Sequence, residues 1–182
     1  MVTNAKSSVL PALGYFAMGN FMATVMSISI ALFRGNTGIL AVVSLCALCV
    51  YFSLVALAPY KDGVEIGKAN SKSKGGAKLN RSKQWLLVGF LMFGIMLALT
   101  LMYHFVEGFN VGVYRLIAGA IHPLSYLLVE GTGEFWDVPG YGEMEIMRIV
   151  PWATYVFVGI YALSVPACYI GYRLGLKRGL EL

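Results

Sequence analysis

Residues Gly38 to Tyr60 read GILAVVSLCALCVYFSLVALAPY, a run without a charged side chain. A helix needs about 20 apolar residues to cross the hydrocarbon of a bilayer, so this run is long enough to span it. Directly after it the chain changes character: Lys61 to Gln84 reads KDGVEIGKANSKSKGGAKLNRSKQ. The junction of an uncharged span with a basic, polar stretch decides the fold, because the span sets the medium and the charges set the orientation.

Another apolar run follows at Trp85 to Val106, and two more flank this pair, at Val9 to Phe33 and Ile149 to Tyr172. Of the 182 residues, 58% belong to the AVILMFWYC set and 13% are charged, with a mean hydropathy of +0.72. That apolar share exceeds what a soluble domain carries. The sequence therefore predicts an all-α integral membrane protein, a single four-helix domain over residues 1–182 with spans at about 9–33, 38–60, 85–106 and 149–172. No length remains for a separate soluble domain. The run from Val9 is too long for a signal-peptide core and lacks a small-residue cleavage site, so it is expected to stay in the mature chain. Arg34 to Thr37 supplies turn chemistry between the first two spans and predicts a tight helical hairpin.

Charge by side gives the orientation. With four spans, one side collects Lys6, Lys61, Lys68, Lys72, Lys74, Lys78, Arg81, Lys83, Arg173, Lys177 and Arg178, opposed only by Asp62, Glu65 and Glu181. The other side holds Arg34, Arg115 and Arg148 against Glu107, Glu130, Glu134, Asp137, Glu143 and Glu145. Short cytoplasmic loops carry excess Lys and Arg, so both termini and the 61–84 segment are expected in the cytoplasm of a multi-pass cell-membrane protein. The composition of 61–84 predicts a mobile loop that cannot bury enough surface to fold by itself. Phe109 to Val129 is apolar enough to suggest a fifth span, but it contains Arg115, His122 and Pro123, and a span there would move the basic tail outside. It is expected to be an extracytoplasmic interfacial or re-entrant helix, with Arg115 and His122 on one face and Leu116, Ile117, Ala120 and Leu124 on the other. Glu130 to Met147, with Gly-Thr-Gly and Pro-Gly, is expected to be an outer loop with turns.

Few residues suggest chemistry. No Asp, Glu, Lys or Arg lies near the centre of a span, which argues against an ion-coupled transporter. No nucleophile, base and orienting group can be assembled from the inner segment, so no enzyme activity and no cofactor are expected. Cys46 and Cys49 form a C-x-x-C without a second ligand pair, and with Cys168 they read as small apolar packing residues rather than metal ligands. His104, Glu107, Arg115 and His122 could gather at the outer interface, where anchoring is the simpler reading. Asn20 is the clearest polar side chain deep in a span.

Two patterns remain. Ala167, Gly171, Gly175 and Gly179 recur every fourth residue, the spacing that lets helices approach closely in lipid. The seam could pack within one bundle or join a homodimer. Gly19, Ala23 and Ser27 repeat it more weakly. The second pattern is the basic inner surface of Lys61, Lys68, Lys72, Lys74, Lys78, Arg81, Lys83, Arg173, Lys177 and Arg178. It serves topology and attraction to anionic membrane lipids, or it docks a polyanion such as structured RNA by neutralising phosphates. No DNA partner is expected.

In size, four-span layout, basic inner loop and lack of catalytic residues, the chain resembles the OLE-RNA-associated membrane proteins of Firmicutes, small homodimers that hold a large noncoding RNA at the membrane. An Asp and Gly element of that family has its counterpart here in Asp62-Gly63 and Gly67-Lys68, at a different spacing. The resemblance implies that Lys61, Lys68, Lys72, Lys74, Lys78, Arg81 and Lys83 contact phosphates while the spans serve as anchor and dimer. The reading is therefore a non-enzymatic membrane scaffold or anchor, expected to be a homodimer, whose basic cytoplasmic loop and C-terminal tail dock an anionic macromolecule, foremost a structured RNA; its alternatives are a small channel or transporter subunit, or an accessory subunit of another membrane protein.

Overall fold

The computed structural model describes residues 6–29, 36–72, 79–106, 114, 117–138 and 142–182. Helix α1 covers Lys6–Ser29, α2 Thr37–Lys72 and α3 Ser82–Phe105. A 3-10 turn at Gly119–Ile121 runs into the single-turn helix α4, His122–Ser125. An antiparallel pair of strands follows, β1 Val129–Val138 and β2 Gly142–Ile149, and then α5 Pro151–Ala162 and α6 Ser164–Leu180. Four helical stretches, with α5 and α6 counted as one, are long and apolar enough to cross a membrane. The four-span, helical reading of the sequence holds.

Local chemistry explains the boundaries. The Asn36 side chain accepts the Ile39 amide at 3.1 Å, capping the start of α2. Pro151 opens α5, where a missing amide hydrogen costs nothing. The last span breaks at Leu163 because Pro166 has no amide for the Ala162 carbonyl and its ring crowds that carbonyl. Pro59 does the same to Val55 within α2, and the Cys168 thiol points at the released Val55 carbonyl from 4.0 Å.

α6 lies between α2 and α3, α1 packs on the far side of α2, and α5 packs on α3. The core between them contains Tyr51, Trp85, Met92, Met96, Phe157, Tyr161, Cys168 and Tyr172, all nearly inaccessible. Large apolar side chains such as Val42, Leu45, Leu87, Phe90, Tyr155 and Ile170 face outward. In water that would be a liability; in lipid it is the expected surface.

Three parts depart from the sequence reading. The segment 61–84 is not a loop throughout: α2 continues as helix to Lys72 and α3 begins at Ser82. The reason is contact the composition does not show, since Gly63, Ile66 and Gly67 are buried and the two glycines lie against the backbone of α6. The outer stretch read as a loop with turns is a β-hairpin, with Val129 opposite Ile149 and Val138 opposite Gly142. Within 109–129, residues 109–113, 115 and 116 lie outside the described set, and the rest is not one continuous helix. His122 and Ala120, expected on opposite faces, are both buried, Leu124 packs against the core and Ile117 is 42% exposed, so the two faces do not separate, because a turn and a 3-10 segment interrupt the 100° step on which they were counted.

Candidate functional site

The surface to be tested is the basic end of the bundle, and the α2–α6 contact builds it. Gly171 rests on Ala56, Gly175 on the Tyr60 carbonyl, and Gly179 on Val64 and Gly67. From the other side, a Cβ on Gly63 would meet the Tyr172 carbonyl and one on Gly67 would come within 2.6 Å of the Leu176 carbonyl oxygen. Gly63 and Gly67, four residues apart, thus complement the glycines of α6. The small-residue face that could have joined two copies is occupied by α2 of the same chain. Ala167, at its upper end, is partly buried against the core.

A second tie fixes the start of α3 to this pair. Asp62 accepts Arg81 Nη1 at 3.1 Å on one carboxylate oxygen and the Trp85 indole Nε1 at 2.8 Å on the other. The Arg81 amide donates to the Tyr172 hydroxyl at 2.9 Å. Below it, Asn70 grips Leu79 twice, donating to its carbonyl and accepting its amide, both at 2.9 Å. The extension of α2 is therefore held to α6 by packing and to residues 79–85 by hydrogen bonds. Trp85 is buried in this tie.

The expected polyanion-binding residues fall into separate groups. Arg81 is committed to Asp62, with both side chains largely covered. The Lys61 ammonium donates to the Tyr15 hydroxyl at 2.9 Å and lies 5.3 Å from the centre of that ring, although the residue is exposed. Lys68, Lys72, Lys83, Arg173 and Lys177 are exposed. Arg178 is exposed too and sits 3.6 Å from Glu181 across one turn, a pair of little consequence in water. Lys74 and Lys78 lie outside the described residues. Lys61, Lys68 and Lys72, spaced by seven and four residues, fall within about 40° of one another around α2 and form a stripe along it.

Of the polar groups noted in the sequence for the other end, the two histidines have separate partners. His104 Nε2 pairs with the Thr154 hydroxyl at 3.1 Å, and His122 Nε2 with the Tyr126 hydroxyl at 3.1 Å. Glu107 and Arg115 lie outside the described residues. Among the described residues no group of three or more His, Cys, Asp or Glu side chains could hold a metal ion. The cysteines are unbridged, with Cys46 and Cys49 exposed on the lipid-facing side of α2 and Cys168 buried.

The sequence singled out Asn20 without its partners. Its carboxamide oxygen accepts the Tyr161 hydroxyl at 3.2 Å and the Ala120 amide at 3.3 Å, and its nitrogen donates to the Phe16 carbonyl. Gly119 abuts the Asn20 carbonyl and the Thr24 hydroxyl, a fit that only a missing Cβ permits. Residues 118–123 are thereby buried against α1 and α2 at the level of Asn20.

Fold and surface together define a small multi-pass helical membrane protein with one strongly basic end. Comparison with protein-family models, with curated proteins and with solved structures found no match.

Proposed function

We propose that this chain is a non-enzymatic scaffold of the cell membrane whose basic end, on the cytoplasmic side, docks an anionic macromolecule in the aqueous phase, and that this macromolecule is a structured RNA. The observation that carries the reading is the reach of the lysine stripe. At 1.5 Å per residue, Lys68 stands about 10 Å and Lys72 about 16 Å along the helix axis beyond Lys61, which marks the end of the span. The attraction of an anionic lipid surface fades over a Debye length of about 8 Å at physiological salt. At that distance the pull of lipid on Lys72 is weakened, whereas a polyanion in water reaches both lysines. The glycine contact with α6 keeps the extension paired with the span instead of leaving it to lie along the membrane.

The rival reading, a small channel or transporter subunit, draws on the polar groups around Asn20. These groups bond to one another and to the backbone across α1, α5 and the 3-10 turn, which suits a structural joint better than a solute path.

The test is ultraviolet crosslinking in cells followed by purification and nuclease digestion. A nuclease-sensitive adduct that shrinks in a Lys68→Gln, Lys72→Gln, Lys177→Gln variant supports the proposal. Absence of any adduct at low salt with the wild-type surface intact removes it.

A further inference from the structure

The end of the bundle opposite the basic extension carries a side chain that the proposed function does not use. His104 lies in the last turn of α3 and is exposed. Its Nε2 pairs with the Thr154 hydroxyl at 3.1 Å, and that hydroxyl donates to the Pro151 carbonyl. A hydroxyl has a single hydrogen to give, so the Thr154 oxygen accepts from His104 and the imidazole hydrogen sits on Nε2. In the neutral ring Nδ1 is then an acceptor. Among the described residues nothing donates to it.

Three features set what this acceptor takes. A lone pair needs a donor, so a phosphate or carboxylate oxygen is turned away. The surroundings are aromatic: the Phe105 and Tyr155 ring centres lie 6.1 and 6.3 Å from that of His104, and ring faces attract a cation within about 6 Å. The position is also electronegative, because α3 ends at Phe105 with the negative end of its dipole and the connector from Glu107 to Arg148 is acidic by composition. A cation that carries its own N–H meets all three. A metal ion does not fit, since among the described residues no group of three His, Cys, Asp or Glu side chains stands ready to hold one.

Depth names the source of that cation. Phe105, Tyr155 and Trp152 are 79%, 73% and 56% exposed at the ends of two spans, and aromatic side chains in that position lie at the level of the lipid headgroups. We infer that His104 is a docking site for the primary ammonium of an ethanolamine phospholipid in the leaflet at this end. The ammonium donates one hydrogen to Nδ1 and rests against the rings of Phe105 and Tyr155. A choline headgroup has the same charge but no N–H, so it lacks the hydrogen bond.

The test uses the full chain, with its histidine ring nitrogens labelled, in choline-lipid nanodiscs to which ethanolamine lipid is added in steps. We expect nitrogen resonances that place the hydrogen on Nε2 of His104, and an Nδ1 resonance that moves with the ethanolamine lipid. Lipid retained by the protein after extraction from a mixed bilayer should be enriched in ethanolamine over choline by about fivefold, the worth of one hydrogen bond. His104→Phe keeps a ring but removes the acceptor, and should abolish the enrichment. Lys68→Gln with Lys72→Gln should leave it unchanged, which separates this site from the basic end. Equal retention of the two lipids would reduce the cluster to ordinary interfacial aromatics and overturn the site, as would enrichment that survives His104→Phe or a hydrogen found on Nδ1. An equal shift with water-soluble glycerophosphoethanolamine would overturn the lipid as source. Because the headgroup comparison uses the unaltered protein, it stands even if His104→Phe misfolds.

Discussion

Gly67 of α2 and Gly179 of α6 meet backbone to backbone: a Cβ on Gly67 would come within 2.7 Å of the Gly179 Cα, and one on Gly179 within 2.9 Å of the Gly67 Cα. This contact lies beyond Lys61, where the sequence turns polar, so the pairing of α2 with α6 continues past the apolar part of the span. Hydrophobicity cannot drive helices together in lipid, but close backbone approach can, and the same packing persists where the helices leave it.

Side chains at this contact should therefore be poorly tolerated. Gly67→Leu or Gly175→Leu should destabilise the protein by about 1–3 kcal/mol or more through overpacking, and should expose residues 61–72 to added protease. Gly94→Ala is the control, because nothing lies within 4 Å of its Cβ position; it should be neutral, or stabilising by about 0.5–1 kcal/mol through lost unfolded-state freedom. Thermal unfolding in detergent with limited proteolysis checks both outcomes.

The Asp62 carboxylate should matter more than any single exposed cation. Asp62→Asn removes the charge to which Arg81 and Trp85 donate in a largely covered site and should cost about 1.5–3 kcal/mol. Trp85→Phe removes one donor to the Asp62 carboxylate and should cost about 1.5–3 kcal/mol beyond the packing change. A double-mutant cycle of Asp62→Asn with Arg81→Gln should show coupling; additive losses would mean the pair contributes nothing.

Asn20 should hold the 118–125 segment in place. Asn20→Leu removes the acceptor of the Tyr161 hydroxyl and the Ala120 amide, with an effect of about 1 kcal/mol on stability. The larger effect should be local: hydrogen exchange at Ala120 and its neighbours should accelerate while exchange in α3 stays as it was. Uniform acceleration across all helices would instead indicate global loosening.

The four spans were legible because lipid demands apolar side chains over a fixed length, and runs such as Gly38 to Tyr60 satisfy that demand residue by residue. The extension of α2 was not legible. Gly63 and Gly67 have the composition of a loop, and only the matching spacing of Gly171, Gly175 and Gly179 far along the chain could have marked them as packing residues. The hairpin had a local signal, the alternation of Glu143, Met144, Glu145 and Ile146, which neighbouring Gly and Pro turn residues obscured. Of the candidate site, the exposed lysines were visible in the sequence. That Arg81 serves Asp62, and that Lys61 rests on Tyr15, depends on partners distant in the sequence, which a charge count does not see.

The central claim is that the stripe along α2 meets an anionic partner in water. The most direct measurement is the salt dependence of structured-RNA binding to the full chain in nanodiscs of zwitterionic lipid, compared with Lys68→Gln, Lys72→Gln, Lys177→Gln. Each lost phosphate contact lowers the slope of log K against log salt by roughly 0.7–0.9, so the account predicts a wild-type slope steeper by about 2–3. Equal slopes, or no wild-type binding at low salt, would contradict it.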